Sequence, residues 1–286
     1  MRRLTILFLS VALVLVLSEL SRAQVLWRSA KTMPQGSYLA MASWYRMDFN
    51  RSYKWSGEKW ADFPSDSSRT YWGFETMFGY GVTDRLETHV HIPIAFKSAS
   101  NDTIDKSSSG IGDIYLKTRF ALIPWAKDRH GLTLTGALRF GTGSWLPQPK
   151  LGLGDGSTDF AIGEIFSTAW MNNFRGHLKA NYWFNGVNHS GEDVGDELKV
   201  IVKLDRNLSP KVMPFITYIY YSQSKKESAA GVIANSEKIR RYFVLGGVYK
   251  PMKGMFIRPK VVIPIGGEGG ILFDYKPLID FWFVFK

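Results

Sequence analysis

Segments in which apolar and polar residues alternate recur along this chain, and they restrict its fold more than any other feature. In the clearest of them, Leu86 to Lys97, mainly leucine, valine, isoleucine and phenylalanine lie on one face of an extended strand, whereas glutamate, histidine and lysine lie on the other. The pattern recurs at Ile114 to Leu122 and at Leu132 to Phe140, again with the charges opposite the large apolar residues. A period of two predicts β-strands that separate an apolar environment from a polar one.

Extending this pattern over the chain predicts about twelve strands, each followed by a connection rich in turn residues. They are Tyr38 to Phe49, Thr70 to Gly81, Leu86 to Lys97, Asp113 to Leu122, Leu132 to Phe140, Thr158 to Trp170, Leu178 to Phe184, Asp196 to Leu204, Val212 to Ser222, Ile239 to Tyr249, Met255 to Ile265 and Ile271 to Phe285. Pro93 and Pro259 fall inside strands although proline cannot donate to a ladder, and Glu164 would point to the apolar side. We expect β-bulges to re-phase those strands.

The predicted connections alternate in length, except that 123–130 is longer than the other short ones and 266–270 is shorter than the other long ones. The long ones are residues 50–67, 98–110, 142–157, 185–195 and 223–237, and the short ones are 82–85, 171–175, 205–211 and 250–254. An even number of strands with alternating short and long connections is typical of bacterial outer-membrane barrels.

The first residues predict export. Arg2 and Arg3 precede an apolar run from Leu4 to Leu17, and the small residues Ser21 and Ala23 follow it. That run is about 14 residues long, too short for the ~20 that a membrane helix needs. We therefore expect residues 1–23 to be a cleaved signal peptide and residues 24–286 to form one domain.

The remaining chain has no apolar run long enough for a membrane helix, because a charge, glycine or proline interrupts every stretch within about ten residues. A chain that crosses a membrane without helices must close its strands into a barrel, since lipid offers no partner to backbone N–H and C=O groups. We therefore predict an all-β, closed antiparallel transmembrane β-barrel with both termini in the periplasm. The chain contains no cysteine, so no disulfide stabilises it.

Charge and aromatic content indicate the surroundings of such a barrel. Without residues 1–23, 33 basic and 24 acidic residues leave a net charge of +9, spread along the chain rather than collected in one basic run. We expect outer-membrane lipids, including anionic lipopolysaccharide, as neighbours rather than nucleic acid. Aromatic residues gather near predicted strand ends, where they suit membrane interfaces. The last residues, 280–286, resemble the aromatic final strand that the outer-membrane assembly machinery reads, although Lys286 replaces the usual terminal aromatic residue.

Three glycine-containing motifs point to a family. They are Gly79-Tyr80-Gly81-Val82-Thr83-Asp84-Arg85-Leu86-Glu87, Gly110-Ile111-Gly112-Asp113-Ile114-Tyr115-Leu116-Lys117 and Gly154-Asp155-Gly156-Ser157-Thr158-Asp159-Phe160-Ala161-Ile162-Gly163. Together they resemble the outer-membrane transporter-like family of the MetA-pathway of phenol degradation, most closely over residues 70–170. The resemblance implies a barrel that passes small, often aromatic or hydrophobic, molecules across the outer membrane. It implies no defined binding residues.

The polar face of the predicted strands supplies the candidate lining of a channel. These residues are Glu75, Glu87, His89, His91, Asp113, Lys117, Arg119, Arg139, Lys179, Lys199 and Lys203. With Lys260 added, the basic residues outnumber the acidic ones, even when Asp159 and Glu197 are included. A net positive lumen would favour anionic or polarisable solutes. Alternatively, opposite charges on neighbouring strands only cross-link the wall, and the sequence leaves both interpretations open.

Two sequence features suggest other chemistries. Glu87, His89 and His91 project from one strand at intervals of about 7 Å and could bind Zn²⁺ or Cu²⁺. We favour their pairing with Lys117 and Arg119, because a fourth ligand is missing. Adjacent His189 and Ser190 are similar to residues of outer-membrane lipases, but the spacing that those enzymes use is absent.

The sequence thus predicts a monomeric outer-membrane channel for passive uptake of small aromatic, hydrophobic or anionic molecules, with no enzymatic activity and no cofactor. The alternatives are an outer-membrane lipid hydrolase, a structural barrel without transport and a soluble secreted β-protein.

Overall fold

The computed structural model describes residues 29–101, 104–125, 130–144, 151–170 and 174–286. The predicted signal peptide lies outside these residues. Across these ranges, no helix is long and apolar enough to cross a membrane.

Twelve long strands form the wall of the molecule in the described parts of the chain. They are β1 (Tyr38–Lys54), β2 (Ser68–Gly81), β3 (Leu86–Asn101), β4 (Ile114–Ile123), β5 (His130–Phe140), β6 (Asp159–Trp170), β7 (Phe174–Phe184), β8 (Glu197–Arg206), β9 (Val212–Gln223), β10 (Lys238–Tyr249), β11 (Met255–Glu268) and β12 (Lys276–Phe285).

Each strand pairs antiparallel with its neighbours in sequence, and the first strand also pairs with the last. Tyr38 of β1 is opposite Tyr80 of β2 on one side and Phe285 of β12 on the other. The sheet is therefore closed and has no free long edge, as a barrel in lipid requires. The predicted fold, a closed antiparallel barrel of twelve strands, is confirmed.

Some predicted strand ends were wrong. β7 begins at Phe174, four residues before the predicted start at Leu178, and β8 continues to Arg206. The last predicted segment contains two elements, because a short strand, Ile271–Phe273, pairs with β1 before β12 begins at Lys276. The earlier start of β7 and the later end of β8 add side chains to the lumen.

The connections define two ends of the barrel. At one end, here called the turn end, lie the short connections 82–85, 207–211 and 250–254, the start of β1 and the end of β12. At the other, the loop end, lie the longer connections 55–67, 185–196, 224–237 and 269–275. Short strands at Lys59–Asp62 and Ile104–Ile111 pair with β1 and β3 and extend the wall on that side.

The outer surface is apolar and carries aromatic residues near both ends. Phe78 is 57% exposed and Phe285 is 54% exposed, values that only a surface facing lipid would favour for such side chains. Near the loop end Trp72 stacks on Phe96 with ring centroids 3.9 Å apart, and near the turn end the ring of Tyr38 lies 5.8 Å from Phe285. These positions suit two interfacial belts.

The two prolines lie where the ladder is interrupted and not at a bulge. β11 does carry one of the expected register shifts, but it lies opposite Arg241 and Tyr242 of β10. β3 pairs with β4 up to His91 and with the strand Ile104–Ile111 from Ile94 onwards, and Pro93 falls between these partners. Its carbonyl still accepts the backbone N–H of Gly112 at 2.9 Å. Pro259 likewise lies in a gap of the β10–β11 pairing, which keeps the same register on both sides. The missing N–H thus costs no ladder hydrogen bond.

Glu164 is on the outer face, since β6 keeps a constant register with both neighbours and shows no bulge. It is opposite Leu134 and Ala180 and is half-buried among outward side chains. Strict alternation of faces therefore predicted the position of Glu164 correctly, and the β-bulge expected in this strand was wrong.

Candidate functional site

The side chains predicted to line a channel are buried on the inner face of the barrel. This holds for Glu75, Glu87, His89, His91, Asp113, Lys117, Arg119, Arg139, Lys179, Lys199 and Lys203, whose exposed fractions do not exceed 9%. Asp159 and Glu197 are buried with them, and Lys260 is partly buried. Because adjacent residues alternate between faces, the structure separates a charged interior from an apolar exterior.

Many of these charges pair across the lumen wall. Near the loop end Arg139 lies 2.9 Å from Asp155 and 3.9 Å from Glu197, and its Nε donates to Asp159. Its guanidinium also lies 5.3 Å from the ring of Trp183. One arginine therefore joins two neighbouring strands, a loop and, more loosely, β8.

A second ionic group lies in the seam between the first and last strands. Asp280 of β12 is 2.8 Å from both Arg258 and Lys260 of β11, and Ser43 Oγ of β1 donates to it at 2.5 Å. Cross-linking of the wall, one of the two interpretations of the charged interior, thus accounts for several of its basic residues.

Apolar side chains also occupy part of the lumen, which the sequence interpretation missed. They come from β1, from β8 to β12 and from the short strand Ile271–Phe273, and they include Tyr45, Met47, Ile201, Ile219, Tyr242, Val244, Val262, Phe273 and Leu278. We call this group the apolar cluster. It narrows the interior and offers it an apolar surface.

The chain before β1 folds back into the barrel at the turn end. Residues 29–37, here called the lumen segment, contact β3 to β6 through their backbone. The N–H of Ala30 donates to Ser167 Oγ at 2.8 Å, and its carbonyl accepts the Thr133 hydroxyl at 2.5 Å. The N–H of Met33 donates to the Glu87 carboxylate, and both Ala30 and Met33 are fully buried. No side-chain pattern marked this segment in the sequence.

The lumen segment contacts Glu87, the carboxylate of the metal site considered in the sequence. Glu87 accepts hydrogen bonds from Arg119 and from the Met33 N–H, and its Oε1 is 3.0 Å from His89 Nε2. In the part of the chain that the structure describes, no group of three or more His, Cys, Asp or Glu residues is placed to hold a metal ion. Glu87 therefore anchors the lumen segment, and pairing with Arg119, the alternative favoured from the sequence, is what the geometry shows.

Beside the lumen segment, β7 to β12 leave a cavity of about 750 Å³ at the turn end. We call it the turn-end cavity. Its basic side chains are Lys31, Arg175, Lys203, Lys250, Lys253, Arg258 and Lys286. Its apolar wall includes Met213, Phe256 and Trp282. Of the residues predicted to line a channel, only Lys203 belongs to it.

Asp205 is the acidic side chain of this cavity, and it is held by three basic groups. Its carboxylate lies 2.7 Å from Arg175 Nε, 2.9 Å from His177 Nε2 and 2.8 Å from Lys203 Nζ. The sequence interpretation missed Arg175 and Asp205, because β7 was begun too late and β8 ended too early. The alternation through Lys203 would have reached Asp205 had β8 been extended by one residue.

The loop residues similar to those of lipases lie in a local turn. His189 and Ser190 are both exposed, and the N–H of Ser190 donates to Asn188 Oδ1 at 2.9 Å. The same oxygen accepts the N–H of Glu192 at 3.0 Å, which is a local turn rather than an activated nucleophile.

Solved structures with this architecture are outer-membrane barrels. An outer membrane channel from Pseudomonas putida F1 superposes with a TM-score of 0.77 at 13% sequence identity, covering 92% of this chain and 100% of the channel. The translocator domain of the autotransporter NalP from Neisseria meningitidis gives 0.49 at 9% identity, covering 88% and 89%. The toluene transporter TodX from P. putida gives 0.47 at 9% identity, covering 88% and 91%. The first of these shows that the two chains share a fold.

Comparison with curated proteins gives no match. Comparison with protein families matches residues 65–261 to the family described as "Putative MetA-pathway of phenol degradation". This match extends over more than half of the chain and includes the three glycine-containing motifs that pointed to it. The chain therefore belongs to this family.

Proposed function

We propose that this protein is an outer-membrane channel through which small molecules pass without a covalent step. The observation that carries the proposal is the contrast between an apolar outer surface and a charged lumen that holds a cavity of about 750 Å³. A surface such as that around Phe78 is stable in lipid, whereas buried ionised groups such as Arg139 are stable inside a barrel.

The shared fold and the family support this function. A chain with the same architecture is described as an outer membrane channel. In the outer membrane, the short connections and both chain ends of this barrel would face the periplasm, as is usual for exported barrels. Residues 1–23 would be removed on export, and residues 24–286 would assemble as a monomer among lipopolysaccharide and other outer-membrane lipids with the help of the assembly machinery.

The composition of the lumen favours solutes that combine an apolar part with polarisable or negative groups. The apolar cluster offers contacts to a ring or chain, and the turn-end cavity has seven basic side chains against one acidic group, Asp205. The residues predicted from the sequence to line the channel, among them Lys117, Lys179 and Lys199, extend the charged surface away from the cavity. Such a field raises the concentration of anions in the lumen.

Reconstitution into planar bilayers tests the proposal. Discrete conductance steps with a preference for anions over cations are expected, because the lumen carries excess positive charge. The Ser190→Ala and His189→Ala variants should conduct like the wild type, since both residues lie in an exposed loop. Silence at all voltages, together with no solute entry into proteoliposomes, would show a barrel without transport.

A further inference from the structure

We propose that the turn-end cavity is a binding site for organic anions that carry an apolar ring or chain. The proposal rests on channel function for the route by which a ligand arrives, but binding itself needs only the cavity. Three features of the cavity carry it: its charge, its apolar wall and its size.

The charge of the cavity is strongly positive. Besides Lys286, six basic side chains contribute, namely Lys31, Arg175, Lys203, Lys250, Lys253 and Arg258. Asp205, with its carboxylate within 3 Å of Arg175, His177 and Lys203, offsets only part of this charge. Lys31 and Lys253 are exposed and Lys250 is half-buried, so they can reach a ligand without breaking an interior ion pair. The site thus attracts an anion by several charges converging on one space.

The apolar wall lies directly beside these charges. Met213, Val248 and Trp282 are buried, and Phe256 is half-buried. The Arg258 guanidinium is 4.9 Å from the ring centre of Trp282, and Lys250 Nζ is 5.9 Å from that of Phe256. A ligand with an aromatic body could lie along these rings while its anionic group meets the neighbouring cations.

The size of the cavity agrees with a small organic ligand. A volume of about 750 Å³ is within the range of pockets that hold cofactors and drug-sized molecules, which is ~300–1,000 Å³. The lumen segment, through Lys31, Thr32 and Pro34, separates this space from β3 to β6. An inorganic anion would leave the apolar wall unused, and a neutral aromatic molecule would leave the charges unused. The geometry therefore favours a ligand with both parts.

Equilibrium dialysis tests the site in the purified full-length mature protein. The protein is held in neutral detergent micelles, and protein-free micelles provide the reference. The probe is radiolabelled 2-naphthoate, its uncharged counterpart is 2-naphthalenemethanol, and inorganic phosphate is the competitor. We expect saturable binding of 2-naphthoate with one molecule per barrel, and binding of the alcohol no greater than to empty micelles.

Variants locate the site. Lys250→Gln combined with Lys253→Gln removes two charges from the cavity and should weaken 2-naphthoate binding by about tenfold. Arg85→Gln combined with Lys211→Gln removes the same charge from exposed turn-end residues outside the cavity, and should leave binding unchanged. Phe256→Leu should weaken 2-naphthoate binding without affecting folding, which far-UV circular dichroism checks.

Several results would overturn the proposal. Equal binding of the acid and the alcohol would show a site without charge recognition, and displacement of 2-naphthoate by equimolar phosphate would show one without apolar recognition. Equal effects of the two double variants would place binding elsewhere. Dialysis needs no conduction. A barrel that binds 2-naphthoate but is silent in bilayers would therefore refute the proposed channel and not the binding site. A conducting barrel without saturable binding would refute the binding site and not the channel.

Discussion

The two sides of the lumen at the turn end carry similar charged groups but differ in what fills the space beside them. Along β3 to β6, Glu87 and Arg119 contact the lumen segment, which fills the space beside them. Along β7 to β12, Asp205 and its three basic partners border a cavity of about 750 Å³. Each side has an acidic group surrounded by basic ones, yet of the residues that the structure describes, a chain segment occupies only the side of β3 to β6.

The difference shows how a charged barrel interior can serve either structure or solute. We call the side along β3 to β6 the filled side and the side along β7 to β12 the open side. On the filled side, the backbone N–H of Met33 donates to Glu87, and the backbone carbonyls of Ser29 and Lys31 accept from Arg119. On the open side, where Lys250 and Lys253 border the cavity, no main-chain segment among the described residues does this. Charges that the backbone compensates hold the structure together, whereas charges around an open space can act on a solute.

Removing the lumen segment should produce the largest effect. Deletion of residues 30–35 opens the filled side to water, so we expect the unit conductance to rise at least about twofold. Single-channel recording in planar bilayers measures it. A matched deletion of residues 227–232 from the exposed loop-end connection should leave conductance as in the wild type. If the two deletions behave alike, the segment does not limit the passage.

Neutralising the acidic group on the filled side should destabilise the barrel. Glu87→Gln leaves the buried Arg119 without its carboxylate and weakens the anchor of Met33, and we expect a loss of about 3–5 kcal/mol in the free energy of unfolding. Urea titration in phospholipid vesicles, followed by tryptophan fluorescence, gives this value. The exposed Glu58→Gln is the control and should change it by less than about 0.5 kcal/mol.

The same change on the open side should cost less. Asp205→Asn leaves Arg175, His177 and Lys203 beside a cavity that water can fill, so we expect a loss of about 1–2 kcal/mol in the same urea titration. Anion preference in planar bilayers should increase at the same time. A loss as large as that of Glu87→Gln would mean that the two sides are equivalent and that the comparison fails.

The smallest effect concerns Lys250, in the connection between β10 and β11. Burial, and then the nearby charge of Arg175, lowers the pKa of Lys250. As pH rises through this lowered pKa, the side chain loses its proton, so anion preference should fall at a lower pH than an ordinary lysine would allow. We expect a decrease of less than about twofold in the anion-to-cation permeability ratio between about pH 7 and pH 10, measured by reversal potentials. Lys250→Arg should make this decrease smaller, and a decrease of equal size in that variant would assign the effect to another group.

The sequence predicted the wall of the barrel because the wall is built from a period of two. Leu86 to Lys97 lies on β3 with the expected faces, and the exposed Val90 and buried His91 show the alternation directly. The pattern weakens where a glycine intervenes, as at Gly176 between Arg175 and His177, and so the start of β7 was missed. That error left Arg175, which borders the turn-end cavity, out of the interpretation.

The contents of the lumen were harder to predict, for two physical reasons. The contacts of Ala30 and Met33 use backbone atoms, which every residue type carries, so the sequence holds no mark of them. The ion pair between Asp280 and Arg258 depends on the register of β11 and β12, and the hydrogen bond from Ser43 to Asp280 depends on barrel closure, which joins residues far apart in the chain. Burial of single positions follows from local pattern, but the choice of partners does not.

The closure of the sheet also constrains the order in which the molecule can form. The hydrogen bond from Ser43 to Asp280 spans 237 positions, and the seam between β1 and β12 needs nearly the whole chain before it can form. Residues 29–37 precede β1 and are synthesised early, but the wall that encloses them is completed only by β12, the last strand to be synthesised. Enclosure of this segment and completion of the barrel are therefore late events, and their rate depends on bringing together two distant stretches of chain, a slow step in any β-topology.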